Sequence, residues 1–231
     1  MICVIFDMDG VIVDSELIHQ KCEREMFDIL GIPVTKEQHN SMVGRTDEDM
    51  WRQIGDWYDL PVTVDKAISM KKSLFLQHLD DEDSILTVPG VTTLIEELFE
   101  NGFVLALASS SSRNQIERIL GKFNLENFFS AVVSGDDVQR GKPDPEIFLK
   151  VTELLEIDPA SCIVIEDSVN GVAAAKGANM KCIGYINPNS GRQDLSKADM
   201  TVDSFRDLSA LKLSEFVNHR NFSSRQANPG N

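Results

Sequence analysis

Short apolar runs rich in Val, Ile and Ala punctuate the chain at residues 2–6, 103–108, 131–133, 162–165 and 181–185. Each is too short for a helix and lacks the polar alternation of a half-exposed strand, so each predicts a strand buried on both faces. Helical segments with boundary signals lie between the later runs. Pro89-Gly90 opens one near Val91, and Gly102 closes it. Ser112-Arg113-Asn114-Gln115 has capping-box spacing. Asp144-Pro145 offers an N-cap followed by proline at the first helical position. Ser168 can cap a short Ala-rich helix that ends at Gly177. This alternation predicts right-handed βαβ units: an α/β fold with a Rossmann-like parallel-sheet core covered by helices on both faces.

Residues 15–85 break that rhythm. They hold amphipathic stretches at 15–30, 35–43, 46–58 and 63–79 but no convincing strand, and Thr35…Gln38 and Thr46…Asp49 resemble helix-start signals. The economical layout is a four-helix cap domain over 15–85, inserted into a core built from 1–14 and 86–218. Residues 219–231 are polar and aperiodic and predict a loose tail. The texture changes place hinges near Val13-Asp14 and Leu86-Pro89. Trp51, Trp57 and Tyr58 are expected as exposed aromatics of the cap or of a partner surface.

Composition narrows the function. With 22 Lys+Arg against 37 Asp+Glu the formal charge is −15, a field that repels phosphodiester backbones and anionic lipid, so neither nucleic acid nor membrane is an expected partner. No apolar run approaches the length of a membrane span, and the chain shows no basic leader before Asp7. Cys3, Cys22, Cys162 and Cys182 form no CxxC pair and read as buried free thiols in a reducing compartment, which makes the expected location cytoplasmic. His19, His39, His78 and His219 lack zinc-ligand spacing. The expected state is a monomer or weak oligomer.

In an open parallel sheet, ligands bind beyond the carboxyl ends of the strands, so the residues just after each apolar run are the informative ones. They are Asp7-Met8-Asp9-Gly10, then Ser109 with three further serines from Ser110, then, at the end of a loop that follows the third run, Gly141-Lys142-Pro143-Asp144, then Glu166-Asp167-Ser168. Carboxylates gathered at one edge repel one another unless a cation sits among them, and Mg2+ with its oxygen preference suits such a group. Asp7 could attack phosphorus, and Asp9 could move a proton between leaving group and water. Ser109, with Ser110, and Lys142 supply donors and positive charge for a phosphate. Each piece alone has a plainer reading as turn, cap or solvated charge; their joint occurrence at successive strand ends is what points to phosphoryl transfer.

Phe6-Asp7-Met8-Asp9-Gly10-Val11-Ile12-Val13-Asp14-Ser15 resembles the first signature of the haloacid dehalogenase superfamily, and Ser109, Lys142-Pro143 and Glu166-Asp167-Ser168 stand where its second, third and fourth would. The 15–85 insert resembles the helical cap of the β-phosphoglucomutase-like subgroup. The resemblance implies Asp7 as nucleophile and Asp9 as general acid/base. It implies Ser109 and Lys142 on the phosphate, and Mg2+ on Asp7, Glu166, Asp167 and the Asp9 carbonyl. The second acid, Asp9, is similar to that of the phosphotransferases of the superfamily and speaks against dehalogenation.

Two departures bear on the reaction. Gly44 and Arg45 are adjacent where β-phosphoglucomutases resemble a glycine, two spacers and arginine, and Ser112-Arg113 stands where those mutases resemble a serine-alanine-serine-lysine series. The expected activity is therefore a magnesium-dependent phosphatase acting on a small phosphorylated metabolite, a sugar phosphate first, through an aspartyl-phosphate. A sugar-phosphate mutase is the alternative. A receiver-like phospho-Asp signalling module fits less well, because the insert follows the first strand. Arg45 and His19 are the cap residues expected to reach the substrate.

Overall fold

The computed structural model describes residues 1–42, 46–79, 85–191 and 193–218. Among them, the apolar runs form strands β1 (Cys3–Phe6), β2 (Val104–Ala108), β3 (Ala131–Val133), β4 (Cys162–Glu166) and β5 (Lys181–Tyr185). A further strand, β6 (Met200–Val202), joins them in a six-stranded sheet ordered β3-β2-β1-β4-β5-β6, and every pairing is parallel. The central strand β1 pairs Cys3 with Val104 on one side and with Cys162 on the other.

Side chains alternate across the sheet and make two distinct faces. Val4, Phe6, Leu105, Leu107, Ile163 and Ile165 join one core cluster, which also takes Leu94, Ile95 and Leu98 of α5 (Val91–Glu100) and Ile116 and Ile119 of α6 (Arg113–Lys122). Cys3, Ile5, Ala106, Ala108, Cys162 and Cys182 face the other way. There they meet Ile147, Phe148 and Val151 of α7 (Glu146–Leu155) and Val172, Ala174 and Ala175 of α8 (Val169–Gly177). Complete burial of a side chain such as Phe148 or Ile5 stabilises by roughly 1.5–3 kcal/mol. All four cysteines are free and buried.

Between β1 and α5 the chain forms α1 (Glu16–Leu30), α2 (Lys36–Asn40), α3 (Asp47–Trp57) and α4 (Val64–Leu79). Thr35 starts α2 with a complete capping box to Gln38, and Thr46 accepts from the Asp49 amide to start α3. These helices share their own apolar cluster around Met26, Phe27, Trp51, Ile54 and Ala67. Trp51 is therefore not an exposed aromatic: it is wholly buried there, and its ring meets Phe27 edge-on at 5.9 Å. Its i, i+3 relation to Ile54 puts both on the inner stripe of α3. Trp57 is partly exposed, and the Tyr58 hydroxyl donates to Gln38 Oε1 at 2.7 Å.

The two connections of this helical insert run side by side. The Asp14 amide donates to Leu86 O at 2.9 Å, the Val88 amide donates to Ile12 O at 2.9 Å, and Val13 bridges Thr87. Two core elements were not foreseen: β6 and α9 (Ala210–Asn218). Helix α7 starts one residue later than proposed, with Pro145 itself at the N-cap and Asp144 Oδ1 accepting from the Glu146 amide at 3.0 Å. No helix among the described residues is long and apolar enough to cross a membrane. Arg45 and the 219–231 segment lie outside the described residues.

Candidate active site

Asp7 stands one residue past β1, its amide donating to Ile165 O at 3.0 Å, which carries the sheet pairing up to the site. Lys142 arrives from the loop before α7 and is almost wholly buried. Its Nζ donates to Asp7 Oδ1 at 2.6 Å, to Glu166 Oε1 at 2.7 Å and to Ala108 O at 3.1 Å. An ammonium has three protons, so every donor of Lys142 is engaged. The Phe148 ring lies 5.1 Å from Nζ, a cation–π contact from the core side.

Asp9 is held from three elements. Ser15 Oγ, just before α1, donates to Asp9 Oδ1 at 2.6 Å, and Ser111 Oγ, after β2, donates to Oδ2 at 2.7 Å. Ser109 Oγ is 3.5 Å from Oδ2 and accepts from the Ser111 amide at 3.0 Å. His19 Nε2 is 3.9 Å from Oδ1, and the His19 ring stacks on Phe75 of α4 at 4.5 Å.

The end of β4 supplies Glu166 and Asp167, both buried. Ser168 clamps Glu166 Oε2 with its amide at 2.8 Å and its hydroxyl at 2.9 Å, while the same hydroxyl caps α8 by accepting from the Gly171 amide. Gly171 is required for this: a Cβ there would stand 1.7 Å from Glu166 Oε1. Gly10 plays the matching part for Asp167. It has φ +83°, and a Cβ would come within 2.1 Å of Asp167 Oδ2. The loop after β5 completes the wall, with Ser190 Oγ donating to Asp167 Oδ2 at 2.5 Å and Asn187 Nδ2 donating to Gly10 O at 2.9 Å.

Asp7, Asp9, Lys142, Glu166, Asp167 and Ser190 line a cleft of about 280 Å³, to which Glu16 and His19 of α1 also contribute. Burial pushes the Asp7 carboxyl up to about 7: the Lys142 ammonium pulls it back, while the Glu166 and Asp9 carboxylates add to the rise. Asp167 is raised well above the usual carboxylate range, first by burial and then by Glu166 and Asp7. Lys142 goes up: burial opposes its charge, but Asp7 and Glu166 outweigh burial, so the ammonium keeps its proton. Asp9 goes down, because the contacts from His19, Ser15 and Ser111 override the cost of its burial.

Asp7, Glu166 and Asp167 each offer an oxygen, and the three oxygens lie within 4.8 Å of one another. One ammonium does not balance three buried carboxylates. An all-oxygen, anionic donor set of this kind fits a hard divalent cation, which would also relieve the mutual repulsion that raises Asp7 and Asp167.

The residues expected at strand ends thus converge: Asp7, Asp9, Ser109, Ser110, Lys142, Glu166 and Asp167 all line the one cleft, and His19 joins them. Sequence reasoning did not anticipate Ser15, Ser111, Gly171, Asn187 or Ser190. Ser15 and Ser111 lie within stretches already singled out. The residues after β5 follow a strand end too, and the same rule that led to Glu166-Asp167 leads to them.

A parallel six-stranded sheet with a helical insert behind its first strand, and an acid-lined, lysine-braced cleft at its carboxyl edge, defines a Rossmann-like α/β enzyme. Residues 4–185 match the model of the haloacid dehalogenase-like hydrolases, and the chain belongs to that family. Proteins named as phosphatases are among its relatives. It is 34% identical over 207 residues to a bifunctional riboflavin kinase/FMN phosphatase of Arabidopsis thaliana, covering 89% of this chain but only 54% of that longer protein. It is also 34% identical over 191 residues to a phosphorylated carbohydrates phosphatase of Thermotoga maritima, covering 79% of this chain and 84% of the relative. The crystal structure of CbbY from Rhodobacter sphaeroides in complex with phosphate superposes with a TM-score of 0.79 at 27% identity, over 90% of this chain and 96% of that one.

Proposed function

We propose that the protein hydrolyses the phosphate ester of a small carbohydrate, with Mg2+ at Asp7, Glu166, Asp167 and the Asp9 carbonyl, through an aspartyl-phosphate on Asp7. The observation that carries this reading is the meeting of Asp7, Glu166 and Asp167 within 4.8 Å, beside the buried Lys142 ammonium. The carbohydrate follows from the likeness to the Thermotoga phosphatase.

In the first step an Asp7 carboxylate oxygen attacks phosphorus. The Asp7–phosphorus bond forms as the ester bond to the leaving alkoxide breaks, and Asp9 gives that oxygen its proton. In the second step Asp9 takes a proton from water, the water oxygen bonds to phosphorus, and the acyl phosphate releases Asp7 and inorganic phosphate. Bound Mg2+ supplies positive charge to the phosphate oxygens and keeps Asp7 ionised. Ser109 and Ser110 contact the same oxygens as charge develops on them, and Lys142 adds its positive charge there, exchanging one of its present acceptors for a phosphate oxygen. The contacts from His19, Ser15 and Ser111 hold the Asp9 carboxyl below its usual range, and arrival of an anionic phosphate raises its proton affinity, which readies it as the acid.

The helical insert, residues 15–85, acts as a cap over a core of 1–14 and 86–218, and its closure excludes water from the acyl phosphate. His19 already lines the cleft; Arg45 is the second cap residue assigned to the leaving group.

The test is release of inorganic phosphate across a panel of sugar and polyol phosphates, with and without Mg2+. Turnover that needs Mg2+ and vanishes in Asp7→Asn is expected. Full turnover by Asp7→Asn would refute the mechanism, and isomerised sugar phosphate without free phosphate would assign the site to a mutase.

A further inference from the structure

The turn at 187–190 touches three things the chemistry depends on, and none of its residues has a part in the steps above. Asn187 is buried, and its amide nitrogen holds Gly10 O at 2.9 Å, on the turn between Asp9 and the first cap connection. Asn187 Oδ1 accepts from the Asn189 amide at 2.8 Å, which fixes the turn's own shape. Asn189 Nδ2 donates to Asp14 Oδ2 at 2.5 Å, and Ser190 Oγ donates to Asp167 Oδ2, also at 2.5 Å.

Asp14 is where the first cap connection pairs with the second, through its amide on Leu86 O. Among the described residues its other carboxylate oxygen, Oδ1, is buried without a hydrogen-bond partner, and Asn189 is the side chain there that holds this carboxylate. Four consecutive residues therefore join a carboxylate of the cation cluster to a carboxylate at the root of the cap.

We propose that Ser190 and Asn189 are positioning residues that couple cation binding to the cap connection: Ser190 aims Asp167 at the cation, Asn189 anchors Asp14, and the hydrogen-bonded turn that carries both makes each depend on the other. This rests on the Mg2+ site of the proposed function. The physical basis is that hydrogen bonds behind a metal ligand fix its orientation, and their loss commonly weakens the metal 10–100-fold. A shared two-ended support also makes the effect reciprocal, as linkage requires.

The experiment is calorimetric titration of chelator-treated protein with MgCl2, together with amide hydrogen exchange at Asp14. Ser190→Ala is expected to weaken Mg2+ binding about tenfold, and Ser190→Thr to recover most of it. Asn189→Ala, whose lost bond is to Asp14 and not to a cation ligand, is expected to weaken Mg2+ at least threefold. Asn189→Asp keeps the size but sets like charges together, and should lose more. Mg2+ should slow exchange at Asp14 in the unaltered protein and slow it less in both Asn189 variants.

Mg2+ affinity within twofold of the unaltered protein in both folded Asn189 variants overturns the coupling. So does exchange at Asp14 that ignores Mg2+. Those results leave phosphatase activity untouched, whereas failure of the unaltered protein to bind Mg2+ removes the metal reading and the coupling together.

Discussion

Lys142 Nζ and Asp7 Oδ1 stand 2.6 Å apart although 135 residues separate them in the chain, and Glu166 Oε1 shares the same ammonium at 2.7 Å. The contact ties the ends of β1 and β4 to the loop that enters α7. It has a structural and a chemical consequence, because the charge that steadies two buried carboxylates is also the one offered to a phosphate.

Removing that charge separates the two roles. Lys142→Ala leaves Asp7 and Glu166 buried without their counter-charge, which costs about 3–5 kcal/mol when one partner of a buried pair is deleted. Urea unfolding in the presence of chelator should show a loss of that order, and Mg2+ should restore part of it. Phosphatase activity should fall by at least about 10²-fold even when Mg2+ restores the fold, as expected for loss of a group placed where charge develops.

Cation binding itself should be visible as stability. Three carboxylates within 4.8 Å gain a partner only in the folded chain, so saturating Mg2+ favours the native state, by about 2.7 kcal/mol at a hundredfold excess over the dissociation constant. A melting temperature that rises with MgCl2 and returns with chelator is the expected result. Asp167→Asn should abolish most of the rise, and an unchanged rise in that variant would remove Asp167 from the ligand set.

Much of this site was legible beforehand because the rule that exposes it is topological. Parallel strands buried on both faces leave an unmistakable apolar texture, and the residues just beyond them face one edge; Asp7, Ser109 and Glu166-Asp167 followed from that, while Lys142, nine residues past β3, was reached through the loop that enters α7. What escaped was set by geometry across the chain. Gly171 reads as an ordinary residue of an Ala-rich helix until the Glu166 carboxylate is found against it. Ser190 lies in a polar loop with no pattern, and β6 places an exposed Thr201 between Met200 and Val202, so it shows no apolar run of the kind that marks the equally short β3. Trp51 failed for a different reason. One tryptophan among Asp47, Glu48, Asp49 and Arg52 looks solvated until the opposing faces of the neighbouring helices supply Met26 and Phe27.

Gly171 permits a test in which local and tertiary preferences oppose each other. Helix propensity alone favours alanine over glycine, by about 1 kcal/mol in a helix interior, and Gly171 stands in the first turn of α8. Here the added Cβ would meet Glu166 Oε1 at 1.7 Å, so the carboxylate must leave its clamp on Ser168 and its contact with Lys142. Gly171→Ala should therefore lower both thermal stability and Mg2+ affinity. A variant more stable than the parent, with Mg2+ binding intact, would mean that Glu166 has room to move and that its position is not fixed by this contact.

The helical insert has an acid limit of its own. Glu23 accepts from Lys71 Nζ at 2.6 Å and stands 2.6 Å from His39 Nε2, in a part of the insert where Lys71 is buried and also reaches Asp47. Burial would push the Glu23 carboxyl up, but the His39 hydrogen bond and the Lys71 charge override it and hold the group down at about 2, against 4.5 without those partners. A carboxyl whose pKa is depressed by folding stabilises the native state above its unfolded pKa, and that contribution is lost as pH falls through the folded value. The window is therefore from about 4.5 down to about 2, and the contribution is about 3 kcal/mol at neutral pH. Glu23→Gln should unfold more easily than the parent at pH 7, and the difference should shrink steadily from pH about 4.5, where the unfolded chain takes up its proton, to pH about 2, where the folded chain does so too. Urea midpoints across that range check it, and a gap that stays constant to pH about 2 would show that Glu23 acts through packing and not through its charge.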